Sequence, residues 1–384
     1  MATGTGGGLL ATPKATSIFK HEILKQYSTV FLAKVASRST GGRVMVLDGF
    51  AGRGRFVDGT PGSAELFMSA AVGLAPRTVA SIRLFEKNRD DAERLADVVA
   101  EYRAMGLDVT SECADVETRL SAAIKEADGI PLFLFLDPCG QNLPFDTVVG
   151  ALSGDRGKRW PPTEALLNLS ADFTRRVSGV LHAGQQSAGL ETMDQVMGGS
   201  WWRKIALDAH AATPDGTWGV AADKVASECT HRLARAANTG GVVIPVRRKP
   251  ENQPTYHLVY LTRSNDGHWV MADALARARQ KWLREVGPQP DDEQGPLFDF
   301  DIVGEKIEEE QTTAAERART RILRLAADHR KFVLVDHVIE VYGPDYGVMT
   351  ESTLGKVLKG LVSEKRLVRE PGYPLGKAPF TFAG

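Results

Sequence analysis

The chain has 384 residues, of which 43% are hydrophobic and 25% charged, with a formal net charge of -1. Those proportions are ordinary for soluble globular proteins and exclude nucleic-acid binding through bulk basicity, so any basic surface has to be local; at the roughly 100–200 residues that one domain takes, the length leaves room for more than one. Three cysteines with no Cys-x-x-Cys pair exclude a disulfide framework and point to a reducing cytoplasm, and no apolar run reaches the roughly 18 residues of a membrane span.

In chain order, residues 1–16 are rich in Gly, Thr and Ala and are expected to be disordered, without the charged and apolar regions of a signal peptide. A helix is predicted over Ser17–Ala36, with Ile18, Phe19, Ile23, Leu24, Tyr27, Phe31 and Leu32 near one face. From Val44 onward strands and helices alternate, which predicts a parallel α/β sheet. Strands are placed at Val44–Leu47, Ser81–Phe85, Leu107–Glu112, Leu132–Leu136 and Glu164–Leu169, with helices at Ala64–Val72, Arg89–Met105 and Val116–Ala127. A helical insertion at about 171–236 precedes two more strands, Val242–Arg247 and Tyr256–Thr262, which would close the sheet as an antiparallel pair.

Charge changes abruptly after Trp282. Residues 288–310 hold nine acids against one base, Lys306, and with Pro288, Pro290 and Pro296 they mark 288–311 as an acidic linker. Residues 312–384 carry twelve Lys/Arg against eight Asp/Glu. Helices are predicted there at Ala314–Ala327, Val333–Val341 and Glu351–Lys365, then a hairpin from Arg366–Glu370 to Ala378–Phe382. This is the pattern of a winged helix, whose third helix enters a major groove in many proteins and only dimerises or binds protein in others.

The most informative stretch is Val44–Gly54. A β-branched, apolar strand delivers Asp48 into a turn containing Gly49, Phe50, Ala51, Gly52 and Gly54. Glycine there lets the backbone turn sharply and approach a ligand closely. The dinucleotide fingerprint is absent, because its third glycine falls on Val57, and no phosphate-cradling lysine follows. The turn resembles the first motif of S-adenosylmethionine-dependent methyltransferases. Glu86 ends the next apolar run, where an acid can accept both ribose hydroxyls, although its distance from Asp48 exceeds the roughly 20 residues usual for such pairs. Asp58–Ala64 fills the excess, with Ser63 expected to cap the following helix. Asp115 has two equal readings, a contact to an adenine amino group or an N-cap for the helix starting at Val116.

The fourth strand ends in Asp137-Pro138-Cys139-Gly140. Amino-methyltransferases acting on bases end this strand in Asp/Asn-Pro-Pro-aromatic, the acid bonding the target amine and the aromatic stacking on an extruded base. Asp137 suits that role or that of a general base; the second proline and the aromatic are missing. Cys139 has a covalent reading, as in cytosine-C5 enzymes with a Pro-Cys nucleophile, and a packing reading as a small filler of a tight turn.

Together these motifs resemble the three-Cys-motif partner proteins. The shared features are a helix with Lys20 and Tyr27, Asp-x-Phe-Ala-Gly-x-Gly at Asp48–Gly54, Gly62-Ser63, Glu86, the Asp137–Gly140 loop and a C-terminal winged helix at 312–384. The order is also similar, more distantly, to a ribosomal-RNA adenine-N6 methyltransferase. The resemblance implies an α/β, Rossmann-like class I methyltransferase sheet over residues 17–287, a winged helix-turn-helix domain, S-adenosylmethionine binding, and a partner protein with a three-cysteine, radical-enzyme-like motif. The family usually holds phenylalanine after Asp-Pro, so Cys139 is a departure that puts base stacking there in doubt.

The expected function is therefore methyl transfer to a nucleic-acid base or related nucleotide, with Asp48–Gly54, Glu86 and Asp115 holding the cofactor and Asp137 orienting the acceptor. A non-catalytic regulator that binds DNA through the winged helix, and an accessory subunit of the radical-enzyme-like partner, are the rivals. Arg53, Arg55, Arg247 and Arg248 are candidate phosphate contacts, against surface charge. Trp201 and Trp202 beside Arg203 and Lys204 read as a packed pair more than as a single-strand platform. His182, His257 and His268 lack metal spacing, so no metal is expected.

Overall fold

The computed structural model describes residues 15–138, 143–214, 216–287 and 301–383. Two compact units divide the chain, Met1–Arg263 and Ser264–Gly384. Among the described residues, no helix is long and apolar enough to cross a membrane.

The first unit is built on β1 (Arg43–Asp48), β2 (Val79–Glu86), β3 (Asp108–Cys113), β4 (Leu132–Leu136), β5 (Thr163–Ser170), β6 (Gly240–Val246) and β7 (Tyr256–Thr262). They form one seven-stranded sheet in the order β3-β2-β1-β4-β5-β7-β6. Only β7 is antiparallel to its neighbours. Strand order thus reverses between β1 and β4. This is a Rossmann-like α/β sheet, mostly parallel and closed by an antiparallel pair.

Parallel neighbours need crossovers, supplied by α2 (Ser63–Leu74), α3 (Arg89–Ala104), α4 (Val116–Glu126) and α5 (Phe145–Leu152). Helices α6 (Ala171–His182), α7 (Ala188–Met197), α8 (Trp201–Ala211) and α9 (Gly219–Ala237) fill the segment between β5 and β6. The central strands are apolar because both faces are covered. Met45, Leu47, Leu134 and Leu136 pack with Leu120 of α4, Val148 of α5, Trp202 of α8 and Val225 of α9. On the other face Phe133 meets Phe31 of α1 (Ala15–Ala36) at 5.4 Å between ring centroids, and Phe135 meets Phe67 of α2 at 5.8 Å. Of the expected apolar face of α1, Ile18 is only half-buried while Phe19, Ile23, Leu24, Tyr27, Phe31 and Leu32 are buried.

One polar cluster interrupts this face. Glu164 of β5, 2% exposed, accepts hydrogen bonds from Tyr27 of α1 and from Tyr260 of β7, the latter at 2.7 Å. A buried carboxylate is tolerated only with such partners, so the trio fixes where α1 sits on the sheet.

The second unit contains α10 (Asn265–Val286), α11 (Ile302–His329), α12 (Val338–Tyr342) and α13 (Glu351–Ser363). Strands β8 (Lys331–Val333), β9 (Leu367–Arg369) and β10 (Pro379–Phe382) form an antiparallel sheet in the order β8-β10-β9. Trp269 and Ala272 of α10 join Ile322, Leu325, Phe332, Leu354, Leu358 and Phe380 in one core. The expected boundary at residue 287 therefore moves to Arg263, since α10 buries its apolar stripe in the second unit.

The expected linker at 288–311 is also corrected. Residues 288–300 lie outside those described, but Asp301 accepts from Gly304 N–H at 2.7 Å and opens α11, which runs unbroken through the expected helix at Ala314–Ala327. A dense acidic run does not prevent a helix whose later turns are packed. The helix expected at Val333–Val341 is divided, because Phe332 and Val333 pair with β10 before α12 begins.

Candidate functional site

Register places the site. Asp48 at the end of β1 is aligned with Leu84 of β2 and with Phe135 of β4. Glu86 and Asp137 each stand two residues beyond those partners, so the three carboxylates crown adjacent strands at one sheet edge. The edge straddles the point where strand order reverses, the usual ligand crevice of an open parallel sheet.

The turn after Asp48 is stitched to both neighbours. Gly49 N–H donates to Phe135 O at 2.9 Å, Ala51 N–H to Phe85 O at 2.9 Å, and Gly52 N–H to the Glu86 carboxylate at 2.9 Å. A side chain on Gly49 would lie 2.7 Å from Leu136 Cδ2, so glycine is needed for that approach. Gly52 adopts φ +59 and would meet nothing within 4 Å if it carried a Cβ, which leaves its backbone facing open space. Phe50 packs partly on the core, and Gly54 accepts from Gly62 N–H at 2.8 Å to close the loop.

Asp48 is fully buried, accepting from Phe50 N–H at 3.0 Å and from the Ser63 hydroxyl at 2.7 Å. Burial pushes its pKa up to about 7, against those two hydrogen bonds, and the Asp137 charge adds to the rise. Ser63 does not act as the expected cap; Gly62 holds that position, and the Ser63 side chain serves Asp48 instead. Glu86 is half-buried, accepts from Gly52 and from Asn88 N–H at 2.6 Å, and is likewise raised, mainly by burial.

Asp137 is 9% exposed and both of its oxygens are engaged. Lys20 of α1 forms an ion pair with one, and Asn168 of β5 donates to the other at 2.6 Å. His21, beside Lys20, lies 5.6 Å from the Phe56 ring, and burial with the Lys20 charge keeps it neutral, its pKa lowered to about 3. Cys139 and Gly140 lie outside the described residues.

Other candidates are placed differently. Asp115 caps α4, accepting from Glu117 N–H at 3.1 Å and from Lys87 at 2.7 Å, and the Lys87 bond holds it below the usual carboxylate range. That geometry is the capping reading. Arg53 and Arg55, the expected phosphate contacts, are both engaged with acids of the protein. Arg53 is bound to Asp91 at 2.8 Å, and Arg55 to the buried Glu65 at 2.5 Å and to Glu101 at 3.0 Å, so their charges tie the loop to α2 and α3.

Arg247 and Arg248 follow β6 on the same sheet edge, but beyond β5 and β7. Arg247 donates to Asn252 O at 2.6 Å, while Arg248 is exposed. Trp202 is fully buried and bonds Asp194 at 2.8 Å, and Trp201 donates to Met197 O at 2.8 Å, so this pair is packed. Among the described residues no group of three His, Cys, Asp or Glu is placed to hold a metal.

Sequence reading missed Lys20 and Asn168 as neighbours of Asp137. Asn168 left a signal: it is a lone amide between Leu167 and Leu169 near the end of a buried parallel strand. Lys20 was marked only by its place, with Tyr27, in the helix that the resemblance singles out; its meeting with Asp137 depends on the tertiary packing that brings α1 over the edge.

No family model matches this chain, and no curated protein does. Solved structures with partial overlap include the methyltransferase domain of bacterial CtHen1-C, at 10% identity over 62% of this chain and 97% of that one, TM-score 0.34. An rRNA methylase from Streptococcus thermophilus overlaps at 12% identity over 61% and 92%, TM-score 0.27. M. jannaschii TYW2 in complex with AdoMet does so at 11% over 62% and 75%, TM-score 0.27. Overlaps this shallow fix neither activity nor substrate.

Proposed function

We propose that this chain is an S-adenosylmethionine-dependent methyltransferase acting on a nucleic-acid base or a related nucleotide. The observation that carries the reading is the register of Asp48, Glu86 and Asp137 on adjacent strand ends, with a glycine loop stitched between the first two. The residues present fit the cofactor. The open backbone at Gly52 offers a cradle, and the half-buried Glu86 carboxylate beside it is an acceptor for the ligand's hydroxyl groups.

When bound, S-adenosylmethionine supplies a methyl group activated by a sulfonium. Glu86 keeps lone pairs for ribose hydroxyls beside its bonds to Gly52 and Asn88. Asp48 fixes the turn through Phe50 and Ser63, so that Gly49, Phe50, Ala51, Gly52 and Gly54 form the cofactor wall. Asp137 orients the acceptor: Lys20 and Asn168 each take one lone pair, leaving one on each oxygen for an incoming N–H. Proximity and alignment are the main levers of such a displacement. We read the second unit, from α11 to β10, as the winged helix-turn-helix of the three-Cys-motif partner proteins, holding the nucleic acid.

The test is transfer of labelled methyl to total DNA and total RNA by the wild type and by Asp137→Ala. The variant should lose at least about a hundredfold in transfer while cofactor affinity stays within a few-fold; equal transfer by both contradicts the role. A second reading, a methyltransferase fold kept as a sensor or as an accessory subunit of a radical-enzyme-like partner, is favoured by one observation, the prior engagement of both Asp137 oxygens. Cofactor binding without transfer to any nucleic acid, or activity only alongside the co-purifying partner, supports that alternative.

A further inference from the structure

Helix α13 buries Leu354, Leu358 and Leu361 and turns Ser352, Lys356, Lys359 and Ser363 outward on the opposite face. Beyond its last turn, Lys365 and Arg366 are exposed, as is Arg330 at the end of α11. Backbone bonds gather the last two: Phe382 N–H donates to Arg330 O at 2.7 Å and Ala383 N–H to Arg366 O at 3.1 Å, so the arginines flank the end of β10.

The side chains of Lys359, Lys365, Arg366 and Arg330 make no hydrogen bond or ion pair among the described residues. Of the nearby acids, Glu364 is engaged with Arg319 at 2.6 Å and Glu370 with Lys331 at 2.5 Å, which leaves Asp328, exposed two residues before Arg330, against four cations. Lys356, by contrast, shares a groove with Glu305 and Glu308, so the positive field strengthens toward the C-terminal end of the helix.

Backbone conformation gives an independent reason to see these charges as retained for use. Lys365 has φ +56 and Arg330 φ +51, at the ends of α13 and α11, where glycine is the comfortable residue. Two long basic side chains stand at positions that favour no side chain at all.

We propose that Lys359, Lys365, Arg366 and Arg330 form a docking surface for the phosphate backbone of a nucleic-acid duplex. The surface rests on the reading of the second unit as a winged helix serving a nucleic-acid modifier, and it moves the phosphate contacts from the loop arginines to this unit. Charge complementarity carries it: clustered, exposed cations without internal partners release counterions when they meet phosphates. DNA and RNA duplexes share that chemistry.

The test is fluorescence anisotropy of the full chain on a labelled DNA duplex of about 20 base pairs and on an RNA duplex of the same sequence, at roughly 50 and 200 mM salt. Wild type should bind one or both, and the tighter duplex identifies the source. Lys359→Glu and Arg366→Glu should each weaken binding about tenfold at low salt and reduce the salt slope by about one. Lys365→Gly should weaken binding while raising Tm, a pairing that a purely structural role cannot give. Unchanged affinity and slope in all three variants, or no binding of either duplex by the wild type, overturns the surface. Calorimetric titration with S-adenosylmethionine on the same samples judges the first-unit reading separately: retained cofactor binding with no duplex binding removes this proposal alone.

Discussion

Basic residues appear in two regions where a nucleotide ligand would be sought, and they behave oppositely. In the first unit Arg53 and Arg55 flank the glycine turn but are drawn inward, each closed on an acid, one of them the buried Glu65. In the second unit Lys359, Lys365 and Arg366 face water with no acid to meet them. A basic residue beside a motif therefore says little until its partners are known. Inward charges shape the glycine loop at the sheet edge proposed to hold the cofactor, and outward charges are the ones proposed to meet a polyanion.

That contrast can be broken at several points. The largest effect should come from the buried acid of the first unit. Asp48 has an ordinary carboxylate pKa when unfolded and about 7 when folded. Between pH 4 and 7 the unfolded chain has already released this proton while the folded chain retains it, so stability falls as pH rises through that window and levels off above it. Asp48→Asn lacks the titration. Its stability relative to wild type should climb by about 1.4 kcal/mol per pH unit over the window, read by denaturant unfolding at pH 5 and 8; a pH-independent difference would sink this.

Next comes the inward arginine. Arg55→Ala leaves Glu65 buried with only the Tyr102 hydroxyl at 3.3 Å, and should cost about 2 kcal/mol without changing duplex affinity. A loss of affinity at unchanged stability would reverse the assignment of the two regions. Tyr260→Phe removes one of the two hydroxyls on Glu164 and should cost about 1 kcal/mol, seen as a lower chemical-denaturation midpoint. The smallest stability effect belongs to the outward set: Lys359→Ala should stay within about 0.5 kcal/mol of wild type while its duplex binding weakens.

Much of the fold was legible because periodicity and burial agree along the central strands. β4 and β7 fall where the apolar runs place them, and the four helical crossovers, α2 to α5, follow from parallel pairing. Asp48 and Glu86 could be placed at one edge because each ends such a run. The misplaced features share a cause, which is dependence on contacts between distant segments. The α10 boundary turns on which core receives Trp269. The start of α11 looked like linker because acid density dominates its first turns, although Asp301 caps it. Lys20 and Asn168 meet Asp137 from α1 and β5, and no local pattern states that meeting. Arg53 and Arg55 looked available only because Asp91, Glu65 and Glu101 lie on other helices.

The most direct measurement is a calorimetric titration of the full chain with S-adenosylmethionine at pH 6 and pH 8, alongside Glu86→Ala. One-to-one binding, tighter at the higher pH as Asp48 releases its proton and weakened at least about tenfold in the variant, is the expected result. No heat at either pH, or equal affinity in wild type and Glu86→Ala, would contradict a cofactor crevice at this sheet edge.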